Sequence, residues 1–258
     1  MALTKNQAKL IKSLHDKKRR NELRLFLVEG EKNIAELLNS DFNIDYILCT
    51  AEFFDKNRNL IKNKNIDYDV VEQSKIEKVG TLESNNSALA IVKQEENNKL
   101  EVDKNEIVIA LDEIKDPGNL GTIIRVADWY GIKKIIASEN SVDFYNPKVI
   151  SATKGSFMRV IVSYANLAES LPKIGLPIFG AFMSGDNVHS FSFPKSGILL
   201  MGNESNGISK ELEKIMTKKI TIPSFGGVYP NDKVGRAESL NVAIATAIIL
   251  DNWKRNLN

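Results

Sequence analysis

Three short stretches gather the amides, glycines and isolated charges from which a site for a polar ligand can be built. Asn119, Gly121 and Arg125 stand in LDEIKDPGNLGTIIR, and Glu204 sits inside GNESNG, residues Gly202 to Gly207. Further on, Ile222 and Pro223 close an apolar run, and Ser239, Leu240 and Asn241 precede VAIATAIIL. Arginine supplies a fork of donors, glutamate an acceptor, and Asn and Ser both kinds of group. The backbone of Gly202, Ile222 and Leu240 offers N–H and C=O groups that can read an adenine edge without charged side chains, with Met201 and Asn203 flanking the first of these. Taken singly, each feature has a plainer explanation. Arg125 fits a helix-surface ion pair, and Ser239 with Asn241 fits the cap of an ordinary core helix.

Other chemistries lack their residues. His15 and His189 are the only histidines and lie far apart, which supports neither a metal site nor a histidine acid/base pair. Cys49 is the only cysteine, so no disulfide and no thiolate cluster can form within the chain, and its setting YILCT reads as a strand core. No GxGxxG opens a helix and no GxxxxGK[ST] occurs, so NAD-binding and P-loop readings lose their main support.

The elements that must position these residues follow from hydropathy. Each of the three stretches ends a β-rich apolar run and opens a helix, the strand-loop-helix unit of an α/β sheet. Strands are expected at IVIALD, KKIIAS, FMRVIVS, PIFGAF, GILLMG and KKITIP, with helices near 119–130, 146–153, 167–173, 210–216 and 240–254. That alternation predicts a mainly parallel sheet covered on both faces. Before it, a helix over Leu3 to Leu23 leads to strands in RLFLV, IDYILCT, IDYDVV and SALAIVKQ, with helices at 29–38, at 51–64 and after Ser74. Between the two parts, Gln94 to Glu106 carries five acids, two lysines and almost no apolar residues. We therefore expect domains over 1–95 and 107–258 joined by a linker at 96–106.

The chain has 258 residues, 43% of them apolar, enough for one large or two ordinary domains. No apolar run approaches the roughly 20 residues that cross a bilayer. The N-terminus has no apolar h-region, so a cytoplasmic location is expected. A net charge of +2 hides an asymmetry, because Met1 to Arg24 holds eight basic residues against Asp16 and Glu22 and is itself +6. Clustered charge of that kind points to a polyanion, with Lys17, Lys18, Arg19 and Arg20 as its candidate contacts.

Together, N-x-G-x-x-x-R, G-N-E-x-x-G, I-P and S-L-N resemble the SpoU family (TrmH-like, SPOUT superfamily) of S-adenosylmethionine-dependent RNA ribose 2′-O-methyltransferases. The three motifs occur in order over about 150 residues, and FLVEGEKNIAELL is similar to the ribosomal-protein-like substrate-binding domain often fused to them. The resemblance implies an α/β fold whose C-terminal part is a parallel sheet with a deep trefoil knot, preceded by a small α/β domain. It also implies S-adenosylmethionine held in the knotted loops, a homodimer, Arg125 at the reacting centre, and Asn119, Glu204, Ser239 and Asn241 in support. Ribosomal RNA is the expected substrate, with tRNA or a catalytically silent RNA-binding role as alternatives. One departure is the insert GGVYPNDKVGRA between I-P and S-L-N, which carries Lys233 and Arg236.

Overall fold

The computed structural model describes residues 3–82, 87–95, 101–225, 239–255 and 257. The insert between I-P and S-L-N lies outside the described residues, as does part of the acidic linker. The chain forms two compact units, one of Met1–Asn98 with Asp143–Met158, the other of Lys99–Val142 with Arg159–Asn258.

The first unit begins with two helices where the charge pattern predicts one. Helix α1 (Lys5–Ser13) is opened by a reciprocal capping box between Thr4 and Gln7. It stops before Asp16, whose carboxylate accepts from the Arg19 backbone and caps α2 (Lys17–Leu23). A strong N-cap inside an amphipathic stretch thus divides it. Strand β1 (Leu25–Glu29), helix α3 (Glu31–Leu38), strand β2 (Ile44–Cys49), helix α4 (Ala51–Asn63), strand β3 (Asp67–Val70), helix α5 (Gln73–Val79) and strand β4 (Ala88–Lys93) follow. Ser74 does not open α5, since Glu72 occupies the N-cap. The sheet order is β1-β4-β2-β3, antiparallel except for β2 with β3. Leu27, Tyr46, Leu48, Leu89 and Ile91 meet Ile11, Leu14, Ile76 and Val79 in one apolar cluster.

The second unit is a six-stranded parallel sheet made of β5 (Ile107–Leu111), β6 (Lys134–Ser138), β7 (Ile161–Ala165), β8 (Ile178–Asn187), β9 (Gly197–Met201) and β10 (Lys218–Thr221). Its order is β10-β8-β9-β5-β6-β7. Helices α6 (Pro117–Trp129), α8 (Leu167–Ile174), α9 (Lys210–Glu213) and α10 (Val242–Arg255) belong to it, whereas α7 (Pro147–Thr153) lies in the segment assigned to the first unit. The strand expected over FMRVIVS starts later, because Lys154 and Gly155 take positive φ and Ser156–Met158 forms a short 3-10 turn. Strand β8 outruns its expected length. Its pairing with β10 slips so that Lys219 faces Gly180 and Ile220 faces Asp186, which displaces Ala181–Gly185 from the ladder.

Helix α10 packs against α6 and carries Trp253 in its last turn, fully buried against Phe179 and Phe193. The indole N–H donates to the Pro194 carbonyl at 2.8 Å, so burial leaves its polar atom satisfied. Glycine at 197 makes room for the indole, since a Cβ there would lie 2.9 Å from the ring.

Candidate active site

In a parallel sheet, ligands bind outside the carboxyl ends of the strands, most often where the strand order reverses. The chain runs from β5 outward to β6 and β7 and returns to the other side of β5 through β8 and β9. Leu111 pairs with Met201 at the carboxyl ends of β5 and β9, so the two following loops lie side by side. The Asp112 backbone N–H donates to the Met201 carbonyl (2.9 Å), and the Asp112 carboxylate accepts from the Ser209 backbone (2.8 Å). Asn203 donates its amide to the Glu113 carbonyl at 2.8 Å, crossing from one loop to the other.

The GNESNG loop is built around backbone. Asn203 and Gly207 exchange two main-chain hydrogen bonds of 2.9 and 3.0 Å, and the Asn203 Oδ1 accepts from the Ser205 and Asn206 N–H groups. Gly207 takes φ of +68°, a region that favours glycine. At Gly202 a Cβ would lie 2.3 Å from the Gly207 carbonyl carbon, a backbone atom that cannot move aside. Both glycines are therefore fixed by the closure of this loop upon itself.

Helix α6 begins with Asp116, whose Oδ1 accepts from the Asn119 backbone N–H at 2.7 Å, and Pro117 fills the first turn, where no N–H is needed. Sequence reasoning passed over Asp116. The signal was present as Asp-Pro directly before a helical run. With its backbone so held, the Asn119 side chain extends in two directions. Its Nδ2 donates to Glu204 Oε1 at 2.7 Å, and its Oδ1 accepts from Asn241 Nδ2 at 2.8 Å. Asn241 in turn accepts from the backbone N–H groups of Ala243 (2.9 Å) and Ile244 (3.3 Å) at the start of α10.

These bonds have one direction. Backbone N–H groups can only donate, so the Asn241 oxygen must face α10 and its nitrogen must face Asn119. The Asn119 oxygen then faces Asn241, and its nitrogen faces a carboxylate, which can only accept while ionised. Three loops separated by up to 122 residues thus become one donor-to-acceptor chain, from a helix N-terminus to Glu204.

Arg125 lies on α6 six residues beyond Asn119, exposed, and has no hydrogen bond or ion pair among the described residues. The surface ion pair that would have explained it is therefore missing there. Ser239 is exposed and makes no hydrogen bond among the described residues, so Asn241 is the residue that caps α10. Ile222 is half-buried, Leu240 is 49% exposed, and Met201 is buried at the end of β9.

The basic N-terminal residues divide. Lys17, Lys18 and Arg19 are exposed on α2, with Arg19 bound to Glu22 at 2.6 Å. Arg20, expected among the RNA contacts, is instead 2% exposed. It donates to the Leu14 and His15 carbonyls (2.9 Å each) and to the Asp143 carboxylate (2.7 Å), which corrects that expectation. A guanidinium buried to this degree cannot meet a phosphate. Among the described residues, no group of three His, Cys, Asp or Glu is placed to hold a metal ion, and no helix is long and apolar enough to cross a membrane.

Comparison with known proteins places the chain in a family. Residues 106–251 match the model of the SpoU rRNA Methylase family, and residues 5–90 match the MRM3-like substrate binding domain. The Bacillus subtilis 23S rRNA (guanosine(2553)-2′-O)-methyltransferase RlmP is 29% identical over 93% of this chain and 92% of its own. A putative RNA methyltransferase of the TrmH family from Porphyromonas gingivalis superposes with a TM-score of 0.85 at 31% identity, over 99% of each chain. An AdoMet-bound rRNA methyltransferase from Sinorhizobium meliloti does so at 0.84 and 28% identity, over all of this chain and 97% of the other.

Proposed function

The chain belongs to the SpoU rRNA Methylase family, and from that premise we propose that it transfers a methyl group from S-adenosylmethionine to a ribose 2′-hydroxyl of ribosomal RNA. The observation that carries this reading is the amide chain Glu204–Asn119–Asn241, which ties the three motifs together and includes a residue of α6, the helix whose Arg125 has no partner among the described residues. RNA is required because only RNA has a 2′-hydroxyl. Ribosomal RNA is favoured over tRNA by the names of similar proteins, RlmP among them. A cytoplasmic location fits that substrate.

The residues suit the donor. A dinucleotide-type phosphate loop is absent from the sequence, and the GNESNG turn is held by its own backbone so closely that a Cβ at Gly202 would collide with it. Met201, Gly202, Asn203, Ile222 and Leu240 would hold the adenosyl group, largely through main-chain atoms, as a neutral adenine edge needs. When bound, S-adenosylmethionine supplies a sulfonium-activated methyl group.

The remaining work falls to the side chains. A ribose hydroxyl becomes an effective nucleophile as its proton begins to pass to solvent water, and negative charge then grows on its oxygen. Guanidinium groups keep their charge in proteins, so Arg125 acts as a fixed cation that stabilises that oxygen. Glu204, locked by Asn119, orients the ribose or its partner, Asn119 and Asn241 hold the mouth of α10 in place, and Ser239 offers its hydroxyl to the ribose.

Residues 1–95 serve as the RNA-binding domain, 96–106 as linker and 107–258 as the catalytic domain, apart from Asp143–Met158, which belongs with the first unit. Lys17, Lys18 and Arg19 supply sequence-independent attraction. A homodimer through the catalytic domain and a knotted C-terminal path are part of the same proposal. Trp129 and Ile244, 84% and 54% exposed, support the first as apolar surface on α6 and α10.

Titration calorimetry with S-adenosylmethionine, followed by transfer of a radiolabelled methyl group to 23S rRNA fragments and to bulk tRNA, tests the reading. Donor binding with ribose methylation of rRNA is expected. Transfer to tRNA alone would select the alternative substrate, and RNA binding without donor binding would make the chain a silent RNA-binding factor.

A further inference from the structure

The first unit carries an aromatic stack that its core does not require. Phe54 on α4 and Tyr68 on β3 lie ring over ring, with centroids 4.6 Å apart and planes 25° apart. On the same helix the Arg58 guanidinium stands over the Phe54 ring at 6.0 Å. Phe54, Arg58 and Lys62 succeed one another at four-residue steps and so share a face of α4. Strand β3 is an edge of its sheet, with β2 on one side only. Tyr68 remains 36% exposed, and neither a second ring nor a hydrogen bond to its hydroxyl occurs among the described residues. The core of this unit is assembled from other side chains, Tyr46, Leu48 and Ile91 among them.

We propose that Tyr68, backed by Phe54 and Arg58, is a stacking platform for an unpaired nucleobase of the RNA substrate. The inference rests on the RNA reading above and assigns it a second contact, separate from the basic helix α2. Bases stack on aromatic rings regardless of sequence, and arginine adds a cation beside the stack. Arg58 and Lys62 have no ion-pair partner among the described residues, which leaves both for the backbone phosphates on either side of the base. Asp55 and Asp67 lie next to Phe54 and Tyr68 in sequence, so the local charge is close to balanced. Such a surface attracts duplex RNA weakly, and its contribution comes from the exposed π-face. An unpaired base is the occupant this chemistry selects, since a paired base has no free face to offer.

The test uses the full-length protein and two RNA probes, a short single-stranded oligoadenosine and a blunt RNA duplex. Tyr68→Leu keeps apolar packing on Phe54 but removes the π-face, while Tyr68→Phe and Tyr68→Trp keep it. Loss of one stacking contact should weaken oligoadenosine binding about 5- to 100-fold. The Phe and Trp variants should match or exceed the parent, and duplex affinity should stay level. Arg58→Gln should instead lower the salt slope for single strands by about 0.7. An unchanged thermal midpoint and donor affinity for Tyr68→Leu would show that the fold is intact. Equal loss on both probes would overturn the platform in favour of a general electrostatic face, and a Tyr68→Leu protein that binds oligoadenosine like the parent would overturn it outright. Parent protein that binds neither probe nor rRNA would instead sink the RNA reading itself, a separate outcome.

Discussion

Two arginines show how differently the two units treat polar side chains. Arg20 in the first unit is buried, with two carbonyls and Asp143 against its terminal nitrogens, while its Nε has no partner among the described residues. Arg125 in the second is exposed and unpaired among the described residues, beside loops whose own amides are satisfied one by one. In the first case charge is consumed to join a distant segment to a helix pair. In the second, structure is spent on keeping a charge available. An arginine in a basic run is therefore a weaker functional signal than a lone arginine beside glycines and amides, because only the second lacks an obvious structural use.

Removing each arginine should separate these roles. Arg20→Ala leaves Asp143 and two carbonyls without their donor inside the fold, and is expected to cost about 3–5 kcal/mol of stability in urea unfolding. Donor affinity of the protein that stays folded should be unchanged. If Arg20→Ala instead weakened RNA binding with full stability, the burial argument would fail. Arg125→Ala should do the opposite, with a thermal midpoint within a degree or so of the parent and turnover down about 100- to 1,000-fold. Arg125→Lys keeps the charge without the planar fork. Near-parental turnover in the lysine variant would mean that charge alone suffices.

A milder change probes the amide chain. Asn241→Asp keeps an oxygen for the Ala243 and Ile244 N–H groups, so α10 stays capped. It removes the Asn241 donor to Asn119 Oδ1 and sets a carboxylate against an acceptor. We expect a loss of about 1–3 kcal/mol in transition-state stabilisation, read as reduced kcat with little change in Tm. A variant with parental kcat would show that the direction of the chain is immaterial.

How legible these features were in the sequence follows from their range. Strands such as Ile107–Leu111 and Gly197–Met201 are short apolar runs, and their limits follow from composition. The motif loops were legible as residue types, and strand adjacency then set them side by side. What escaped was set by distant partners. Nothing near Arg20 announces Asp143, 123 residues away, and nothing near 143–158 says that this stretch belongs with the first unit. Its apolar residues Phe144, Tyr145 and Phe157 read equally well as cover for either sheet, and only tertiary packing resolves the choice, here in favour of Phe26 and Phe42. The split between α1 and α2 was locally encoded, but an N-cap aspartate amid interleaved charges is easily read as one more surface residue.

The smallest effect expected concerns pH, and it again separates the units. Burial, aided by the Asp69 charge, pushes the Cys49 thiol up to about 12, and burial pushes Tyr145 up to about 12. Tyr46 is raised by burial and then by its hydrogen bond to Asp69. All three sit in the first unit and are neutral when folded. An unfolded thiol ionises near its ordinary value of about 8.5 and an unfolded tyrosine near 10, so the unfolded chain releases protons that the folded chain keeps. Stability is therefore whole below about pH 8.5 and falls as pH rises from there toward the folded values, by about 1.4 kcal/mol per pH unit for each group in its window. At pH 9.5 only the thiol is well into that window, and the expected loss relative to pH 7.5 is about 1 kcal/mol. Urea unfolding at the two pH values measures it, and Cys49→Ala should flatten the difference while leaving the rates of the second unit's chemistry alone. A slope that persists undiminished in Cys49→Ala would place the alkaline weakness outside the core of the first unit.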